Sequence, residues 1–339
     1  MKICLVTRYF SMKNAGLGRV SSEIHRGLVQ RGYEVKTIST KGASLPSYFM
    51  YTALEIPLRL PRNCDVYHIL TPMEGIWIPK NKSIATFYDL IPITNPDRCG
   101  AGLGGHGLKN WIGRNYFQIA CHITSNSKYV ACISEQTRQD VLKFLVIKKE
   151  KIRVIRLGIR EDLEPQNKRH YKLALGYLGQ LDRRKRVDLL IKELRRSTLE
   201  ASLTIAGMGV DEASLRQLAE GDKRIEFLGL LPDERLTEFY NSIDALIFPT
   251  WIEGYGLPPV EAMACKKPIV VLDDAIIPWE VKSRCIITKD LGLLFSSEKY
   301  LREQMAQVNL ESNYLFAKSH SWDKCLDSYI ELYKEIASE

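Results

Sequence analysis

The sequence predicts an α/β protein of two domains, each built around a parallel β-sheet. Three observations lead to this prediction. Short runs rich in β-branched residues alternate with helical patterns along the whole chain. The 339 residues correspond to two domains at about 150 residues per domain. The composition, 45% hydrophobic and 26% charged, is typical of a globular protein and excludes a disordered or fibrous chain.

The first half begins with a strand. The apolar run at residues 3–6 is too short for the hydrophobic region of a signal peptide, so we interpret it as strand rather than leader. A helix at residues 18–31 follows, because Val20, Ile24 and Leu28 recur at helical spacing. The strands predicted for this half are 3–7, 34–39, 66–70, 83–87, 130–133 and 153–155.

The second half repeats the alternation. Polar residues and Pro165 interrupt the pattern at 161–169, which predicts domains at 1–162 and 170–316. Residues 317–339 form a closing helical segment with an apolar stripe that includes Trp322, Tyr329 and Tyr333 and indicates core packing. The strands predicted here are 173–178, 202–206, 225–228, 245–248, 269–272 and 285–288.

Charge is distributed unevenly between the halves. Residues 1–160 hold 24 Lys and Arg against 10 Asp and Glu, a net charge of +14, whereas residues 161–339 carry −6. This asymmetry predicts that the first half faces an anionic surface; ordinary charge scatter is the alternative. Residues 110–117, after Lys109, mix aromatic and basic residues as membrane-interfacial segments do. We therefore expect an anionic membrane or an acidic soluble acceptor as partner, and no nucleic acid, since no recognition motif accompanies the charge.

Other features limit the class of protein. No apolar run approaches the roughly 18–20 residues of a membrane-spanning helix. The eight cysteines form no Cys-x-x-Cys pair, so we expect no zinc or thioredoxin-type site and interpret them as reduced cytosolic thiols. The six histidines lack ligand spacing and are interpreted as structural or surface residues. The glycine-rich run at 100–107 is either an ordinary surface loop or a flap near a ligand.

The densest candidate site is the segment EGYGLPPVEAMA at 253–264, directly after a predicted strand. Its glycines allow close approach of a ligand, and Pro258 and Pro259 suit the first turn of a helix whose N–H groups can bind an anion. Glu253 and Glu261 can each accept hydrogen bonds from vicinal hydroxyls, as on a ribose or a sugar. A turn with two solvated glutamates is the alternative.

This segment resembles the E-x7-E motif of retaining glycosyltransferases of family GT4, which have the GT-B fold of two Rossmann-like domains facing a cleft. The resemblance extends over most of the chain, because further segments follow in the family's order. They are CISEQTR at 132–138, YLGQLDRRK at 177–185, LTIAGMG at 203–209, FLG at 227–229 and SW at 321–322. The resemblance also implies that the closing helix at 317–339 crosses back onto the first domain.

The resemblance implies roles for particular residues. Glu261 would hold the nucleotide ribose, and Glu253 would contact hydroxyls of the donor sugar. Arg184 and Lys185 would neutralise the leaving diphosphate, and fixed cations there stabilise the transition state. Because no Asp-x-Asp motif is present, we expect these cations to replace a metal, with no cofactor. The donor-binding residues implied are Gly16, Arg184, Lys185, Glu253, Gly254, Tyr255, Gly256, Leu257 and Glu261.

The acceptor side shows departures from the family. Residues 86–92 read TFYDLIP, where the mannosyltransferase-like members have His-Asp-Leu-Ile-Pro, so Tyr88 replaces the usual histidine. Tyrosine keeps a hydrogen-bond donor but is not a base near pH 7. Asp89 would accept from an acceptor hydroxyl and completes the implied catalytic set with Glu253, Arg184 and Lys185. Gln180 replaces an arginine found in many members.

We therefore expect a metal-independent hexosyltransferase of polysaccharide biosynthesis, cytoplasmic or peripheral on the inner membrane face. It would move a hexose from GDP-mannose or a UDP-sugar to a hydroxyl of a glycan or lipid-linked acceptor. Tyr88 and Gln180 leave a catalytically degenerate, sugar-nucleotide-binding protein as the alternative. An NAD-dependent oxidoreductase is disfavoured because Ser21 and Glu212 stand where each G-x-G-x-x-G fingerprint needs its third glycine.

Overall fold

The computed structural model describes residues 1–10, 16–40, 50–99, 108–166 and 172–338. The glycine-rich run at 100–107, considered above as a surface loop or a flap, falls outside these ranges. All statements below concern the described residues.

Six parallel strands form the first sheet, in the order β2-β1-β3-β4-β5-β6. Because the chain leaves β1 toward β2 and then returns to place β3 on the other side, the switch point of the sheet lies between β1 and β3. The strands are β1 Lys2–Val6, β2 Glu34–Ile38, β3 Val66–Ile69, β4 Ser83–Phe87, β5 Tyr129–Cys132 and β6 Ile152–Val154.

The second sheet has six parallel strands in the order β12-β11-β10-β7-β8-β9. Its switch point lies between β7 and β10. The strands are β7 Leu173–Leu178, β8 Ala201–Ala206, β9 Ile225–Gly229, β10 Ala245–Ile247, β11 Ile269–Leu272 and β12 Ile286–Thr288. The predicted α/β class with two parallel sheets is confirmed, and the predicted strand bounds agree to within one residue.

Helices cover the sheets and connect their strands. Tyr51–Glu55 is a π-helical turn that leads into α2. The α-helices are α1 Leu17–Gln30, α2 Ile56–Arg59, α3 Ile91–Thr94, α4 Leu108–Thr124, α5 Glu135–Phe144, α6 Val187–Arg196, α7 Glu212–Ala219, α8 Leu236–Asn241, α9 Leu257–Ala264, α10 Trp279–Lys282, α11 Leu291–Leu294, α12 Glu298–Ala306, α13 Leu310–Lys318 and α14 Trp322–Ala337. Short 3-10 turns lie at Pro72–Glu74, Lys80–Lys82, Pro96–Arg98, Lys149–Lys151, Arg183–Lys185 and Asp233–Arg235.

The chain divides into two compact units. One unit consists of Met1–Pro96, Gly105–Gly158 and His320–Glu339, and the other consists of Ile159–Ser319 with a short stretch that begins at Asp97. Helix α14 therefore belongs to the first unit, although it follows the second in sequence. Its predicted apolar stripe is buried, as expected for core packing.

A buried polar network joins α14 to the first sheet. The Nδ1 atom of His68 in β3 lies 2.6 Å from the Tyr333 hydroxyl, and its Nε2 lies 2.8 Å from the Thr86 hydroxyl in β4. The Thr86 hydroxyl also contacts the Tyr329 hydroxyl at 2.9 Å. Burial lowers the pKa of His68 to about 3, so the imidazole is neutral. His68 is thus a structural residue that holds α14 in place, as the sequence predicted.

Candidate functional site

The candidate donor site lies at the switch point of the second sheet. The segment at 179–186 follows β7, and the segment at 248–256 follows β10, the two strands that flank the switch point. In open α/β sheets, loops beyond the carboxyl ends of such strands form the ligand crevice. The topology therefore brings together the basic and acidic residues that the sequence singled out.

The basic segment, residues 179–186, packs closely against the loop that follows β8, and this contact determines its backbone path. A Cβ on Gly207 would lie 1.8 Å from the carbonyl oxygen of Gly179, and a Cβ on Gly209 would lie 2.1 Å from that of Leu181. The Leu181 N–H donates to the Met208 carbonyl at 3.0 Å. Glycines at 207 and 209 are therefore needed so that the two loops can touch, which explains them without a dinucleotide.

The acidic segment, residues 248–256, is hydrogen-bonded on one side to the basic turn Arg183–Lys185 and on the other to the loop after β11. The Trp251 N–H donates to the Arg184 carbonyl at 2.9 Å, and Arg184 Nη1 donates to the Ile252 carbonyl at 2.8 Å. On the other side, the Glu253 N–H donates to the Ile276 carbonyl at 2.9 Å. These bonds place the Glu253 side chain beside the cations.

Glu253 forms the centre of a buried ion cluster. Its Oε1 accepts from Lys185 Nζ in a direct ion pair and from the Thr250 hydroxyl at 2.7 Å, while its Oε2 lies 3.4 Å from Arg184 Nη1. Lys185 is 6% exposed. Arg184 also lies 3.9 Å from Asp182, whose Oδ1 is buried and accepts no hydrogen bond within the described chain.

Burial and charge oppose each other in this cluster. Burial raises the pKa of Glu253, but Lys185 and Arg184 outweigh it, so the net pKa of the carboxyl lies below its usual value of 4.5. Burial lowers the pKa of Lys185 below 10.5, although Glu253 counteracts the shift. The ionised form of the Glu253 carboxyl is therefore favoured, and it lies opposite Arg184, whose guanidinium stays charged at neutral pH.

Helix α9 begins beside this cluster, as predicted. Gly256 precedes it in the left-handed conformation at φ 93°, which explains glycine at this position. Pro258 and Pro259 occupy its first turn, where a missing N–H is harmless. In the described part of the chain, the N–H groups of Gly256 and Leu257 donate to no carbonyl oxygen. They are available to an anion together with the helix dipole.

Glu261 lies in the second turn of α9 and is 3% exposed. Its Oε2 accepts a 2.7 Å hydrogen bond from the hydroxyl of Tyr240 in α8. Of the other predicted donor-side residues of this segment, Gly254 is half-buried and Tyr255 is buried. A fixed carboxylate with a dedicated donor behind it can accept from a ligand hydroxyl without reorganising.

The remaining predicted residues lie in the first unit. Gly16 precedes α1 at φ 73°, and its carbonyl accepts from the Val20 N–H at 3.1 Å. Asp89 Oδ1 accepts from the Ile91 N–H at 3.0 Å, two residues on, in the turn that leads into the short helix α3. The Tyr88 hydroxyl is buried and has no hydrogen-bond partner among the described residues, and burial raises its pKa. In this conformation Tyr88 does not present its hydroxyl to an acceptor.

Sequence reasoning missed three residues that hold the site together. Thr250 and Tyr240 donate to Glu253 and Glu261, and Arg186 binds the carbonyl groups of the acidic segment. Tyr240 lies 21 residues from Glu261, a separation that carries no periodic signal. Arg186 is hidden in a run of four basic residues, which by itself is typical of a solvated surface.

No group of three or more His, Cys, Asp or Glu side chains among the described residues is arranged to hold a metal ion. None of the helices within the described ranges has both the length and the apolarity to cross a bilayer.

Comparison with known proteins finds a family match within the second unit. Residues 159–284 match the family model described as glycosyl transferases group 1. O-antigen chain mannosyltransferase B of Escherichia coli is 23% identical over 390 residues, covering 98% of this chain and all of that protein. The match places both candidate segments inside the family's domain.

Solved structures share the fold over the full length. Sucrose-phosphate synthase from Thermosynechococcus elongatus superposes with a TM-score of 0.78 at 15% identity, over 99% of both chains. HepE of Anabaena in complex with UDP-glucose superposes with a TM-score of 0.73 at 14% identity, over 99% of this chain and all of that one. The architecture is the GT-B fold of these structures, and residues 159–284 match the model of the glycosyl transferases group 1 family.

Proposed function

We propose that the chain is a retaining, GT4-like hexosyltransferase that transfers a hexose from a nucleotide-diphosphate sugar to a hydroxyl acceptor without a metal ion. The observation that carries the proposal is the buried cluster of Arg184, Lys185 and Glu253 beside the start of α9. Two cations and the free N–H groups of a helix make a diphosphate site. The adjacent carboxylate makes a site for sugar hydroxyls.

The cluster also accounts for how the bond to the leaving group would break. Cleavage of the glycosidic bond leaves negative charge on the β-phosphate, and Arg184 and Lys185 are fixed cations that stabilise it. In the ligand-free chain Glu253 neutralises these cations, which keeps buried Lys185 paired. When the diphosphate takes over this role, the carboxylate of Glu253 becomes free to accept from the sugar.

The nucleoside would lie over the neighbouring strands. Met208 follows β8 and Leu230 follows β9, and about half of each side chain is exposed. The two loops are adjacent, because the Gly207 N–H donates to the Gly229 carbonyl at 2.7 Å. They offer apolar surface to a planar base, while Glu261 would accept from the ribose hydroxyls. A mannosyltransferase among the relatives favours GDP-mannose, and the UDP-glucose complex among the similar folds favours a UDP-sugar.

The acceptor would be a glycan or a lipid-linked sugar at an anionic membrane surface. Helix α4 supports this proposal because its apolar residues Leu108, Trp111, Ile112 and Ile119 share one exposed face. Exposed Leu58 in α2 adds further apolar surface on the same unit. Together with the +14 charge of residues 1–160, these side chains fit a peripheral interaction with anionic lipid.

Calorimetry and product analysis test the proposal together. GDP and UDP are titrated into the protein in EDTA, and each binding nucleotide is then offered as its mannose, glucose or N-acetylglucosamine derivative with a glycan acceptor. We expect metal-free binding of one nucleotide and transfer with retained anomeric configuration. Binding only with Mg²⁺ or Mn²⁺ contradicts metal independence. Binding without turnover of any donor supports the degenerate sugar-nucleotide-binding alternative.

A further inference from the structure

Arg186 has a backbone conformation that favours glycine. It lies at φ 53° and ψ 36°, in the left-handed region, between the basic turn Arg183–Lys185 and helix α6. Side chains with a Cβ are disfavoured there, so a residue other than glycine persists only where its side chain contributes something in return.

The contribution comes from the guanidinium group. Its Nε donates to the Pro249 carbonyl at 2.6 Å, and its Nη2 donates to the Thr250 carbonyl at 3.1 Å. Its Nη1 and Nη2 each donate to a carboxylate oxygen of Asp274 at 2.7 Å, a two-pronged ion pair. The group also lies 5.3 Å from the ring centre of Trp251. Only 10% of the side chain is exposed.

We infer that Arg186 is a positioning residue of the active site. It fixes the relative positions of Lys185, the proposed diphosphate contact, and Glu253, the proposed sugar contact. Lys185 directly precedes Arg186, so the backbone of Arg186 fixes the lysine. Pro249 and Thr250 lead into Glu253, and the Thr250 hydroxyl donates to the Glu253 carboxylate. One side chain therefore fastens both members of the ion pair. The inference rests on the proposed transferase function.

A lysine cannot replace this arginine. The four hydrogen bonds use the planar fork of the guanidinium in three directions at once, toward Pro249, Thr250 and Asp274. An ammonium group is a single point charge and cannot reproduce that geometry. Glycine would relieve the backbone conformation but would release the acidic segment. Comparing Arg186→Gly with Arg186→Lys therefore distinguishes the cost of the backbone conformation from the contribution of the guanidinium hydrogen bonds.

The test compares Arg186→Gly, Arg186→Lys and Asp274→Ala with Arg183→Gly, which removes an exposed arginine from the same turn. We expect kcat to fall about 10- to 100-fold in the first three, since small displacements of reacting groups cost that much, with the donor KM changed less than about threefold. The control should retain wild-type kcat. Asp274→Ala leaves the turn's own sequence intact, and so decides the question if Arg186→Gly does not fold.

A second readout does not depend on transfer. The groups facing the Glu253 carboxyl are Lys185, Arg184, Asp182 and Tyr177, and the two cations hold its pKa down. Carbon-13 titration of the Glu253 carboxyl, assigned with Glu253→Gln, should show a higher pKa in Arg186→Gly and Asp274→Ala than in the wild type. An unchanged titration together with unchanged kcat, even at a lower melting temperature, overturns the inference. If no donor is turned over by the wild type, the proposed function fails, and this titration still decides the role of Arg186.

Discussion

The hydroxyl of Tyr240 donates a 2.7 Å hydrogen bond to the Glu261 carboxylate, and both side chains are buried in the second unit. This bond joins α8 to α9 and fixes the orientation of a carboxylate that would otherwise rotate. Because a hydrogen bond to a charged group contributes about 1.5–3 kcal/mol, the orientation of Glu261 is well defined before a ligand arrives.

Glu261→Ala should raise the donor KM about 10- to 100-fold, which corresponds to the loss of charged hydrogen bonds to the ribose. Its kcat should change little, because the ribose is held equally in ground and transition states. Tyr240→Phe should also raise the donor KM, but by a smaller factor. Steady-state kinetics with varied donor measure both, and Tyr314→Phe is the matched control, since it breaks a 3.0 Å tyrosine–glutamate bond to Glu164 elsewhere in this unit. A fall in kcat at unchanged KM would argue against a ribose contact.

Glu253→Gln should lower kcat about 100-fold, because the carboxylate faces the sugar as positive charge develops on it. The variant should also unfold more easily, since it leaves Lys185 buried without an ionised partner; breaking such a pair costs about 3–5 kcal/mol. Added nucleoside diphosphate should recover part of the melting temperature by pairing with Lys185. Glu212→Gln, which breaks an ion pair with Arg216 in α7, is the control for both measurements. Wild-type turnover by Glu253→Gln would remove this residue from the mechanism.

His68 should make the protein sensitive to acid. Its folded-state pKa of about 3 lies below the ordinary 6.5, so the neutral form is favoured by folding. The resulting stability is complete above pH 6.5 and is lost as pH falls from 6.5 toward 3, at up to about 1.4 kcal/mol per pH unit. Denaturant unfolding at several pH values measures this slope.

The comparison that isolates this slope is His68→Phe against His122→Gln. His68→Phe should be about 1–3 kcal/mol less stable at pH 7, because the buried Tyr333 hydroxyl loses its His68 contact and the Thr86 hydroxyl keeps only Tyr329. Its stability should depend less on pH below pH 6.5. His122→Gln, in a partly exposed position of α4, leaves the contacts of His68 in place and is the control. Tyr329 and Tyr333 do not titrate in this range, since burial raises their pKa values. An equal slope in His68→Phe would contradict the assignment.

The first unit should bind vesicles that contain anionic lipid, and less so as salt is raised. Trp111→Ser and Lys109→Glu should each weaken co-sedimentation with such vesicles, because they alter the exposed apolar face of α4 and its charge. Arg114→Glu extends the series. Trp279→Ser is the matched control, since this tryptophan is also exposed but lies in the second unit. Equal binding to neutral vesicles, or none at low salt, would contradict the membrane proposal and favour an acidic soluble acceptor.

Local patterns predicted much of the fold. Buried parallel strands are short apolar runs between polar turns, so β3, β4 and β11 could be placed from composition alone. The motif around Glu253 and Glu261 likewise occupies a contiguous stretch. Contacts between distant residues could not be predicted in this way. Nothing near His68 indicates that its partner is Tyr333, 265 residues later, and the partners appear only when the strands are arranged in a sheet.

The conformation of Arg186 is a different case. A basic run is usually solvated, and the sequence carries no mark that one of its four members takes a glycine-like backbone. The reason lies in Asp274, 88 residues away. Its carboxylate binds the guanidinium, and this ion pair offsets the free-energy cost of the backbone conformation. Strain of this kind is stored where tertiary contacts determine a residue's geometry, and it is found at sites rather than in patterns.

The placement of α14 has a consequence for the order in which the protein is assembled during translation. Residues 1–158 leave the ribosome long before Tyr329 and Tyr333, so the first sheet must wait for the two hydroxyls that contact His68 and Thr86. The unit made of Ile159–Ser319 has all of its own strands beforehand and can fold first. The unit that comes second in the sequence can therefore complete its fold before the first unit does. A stop codon near residue 320 would remove α14 and would therefore damage the first unit, although the rest of that unit lies in the first half of the sequence.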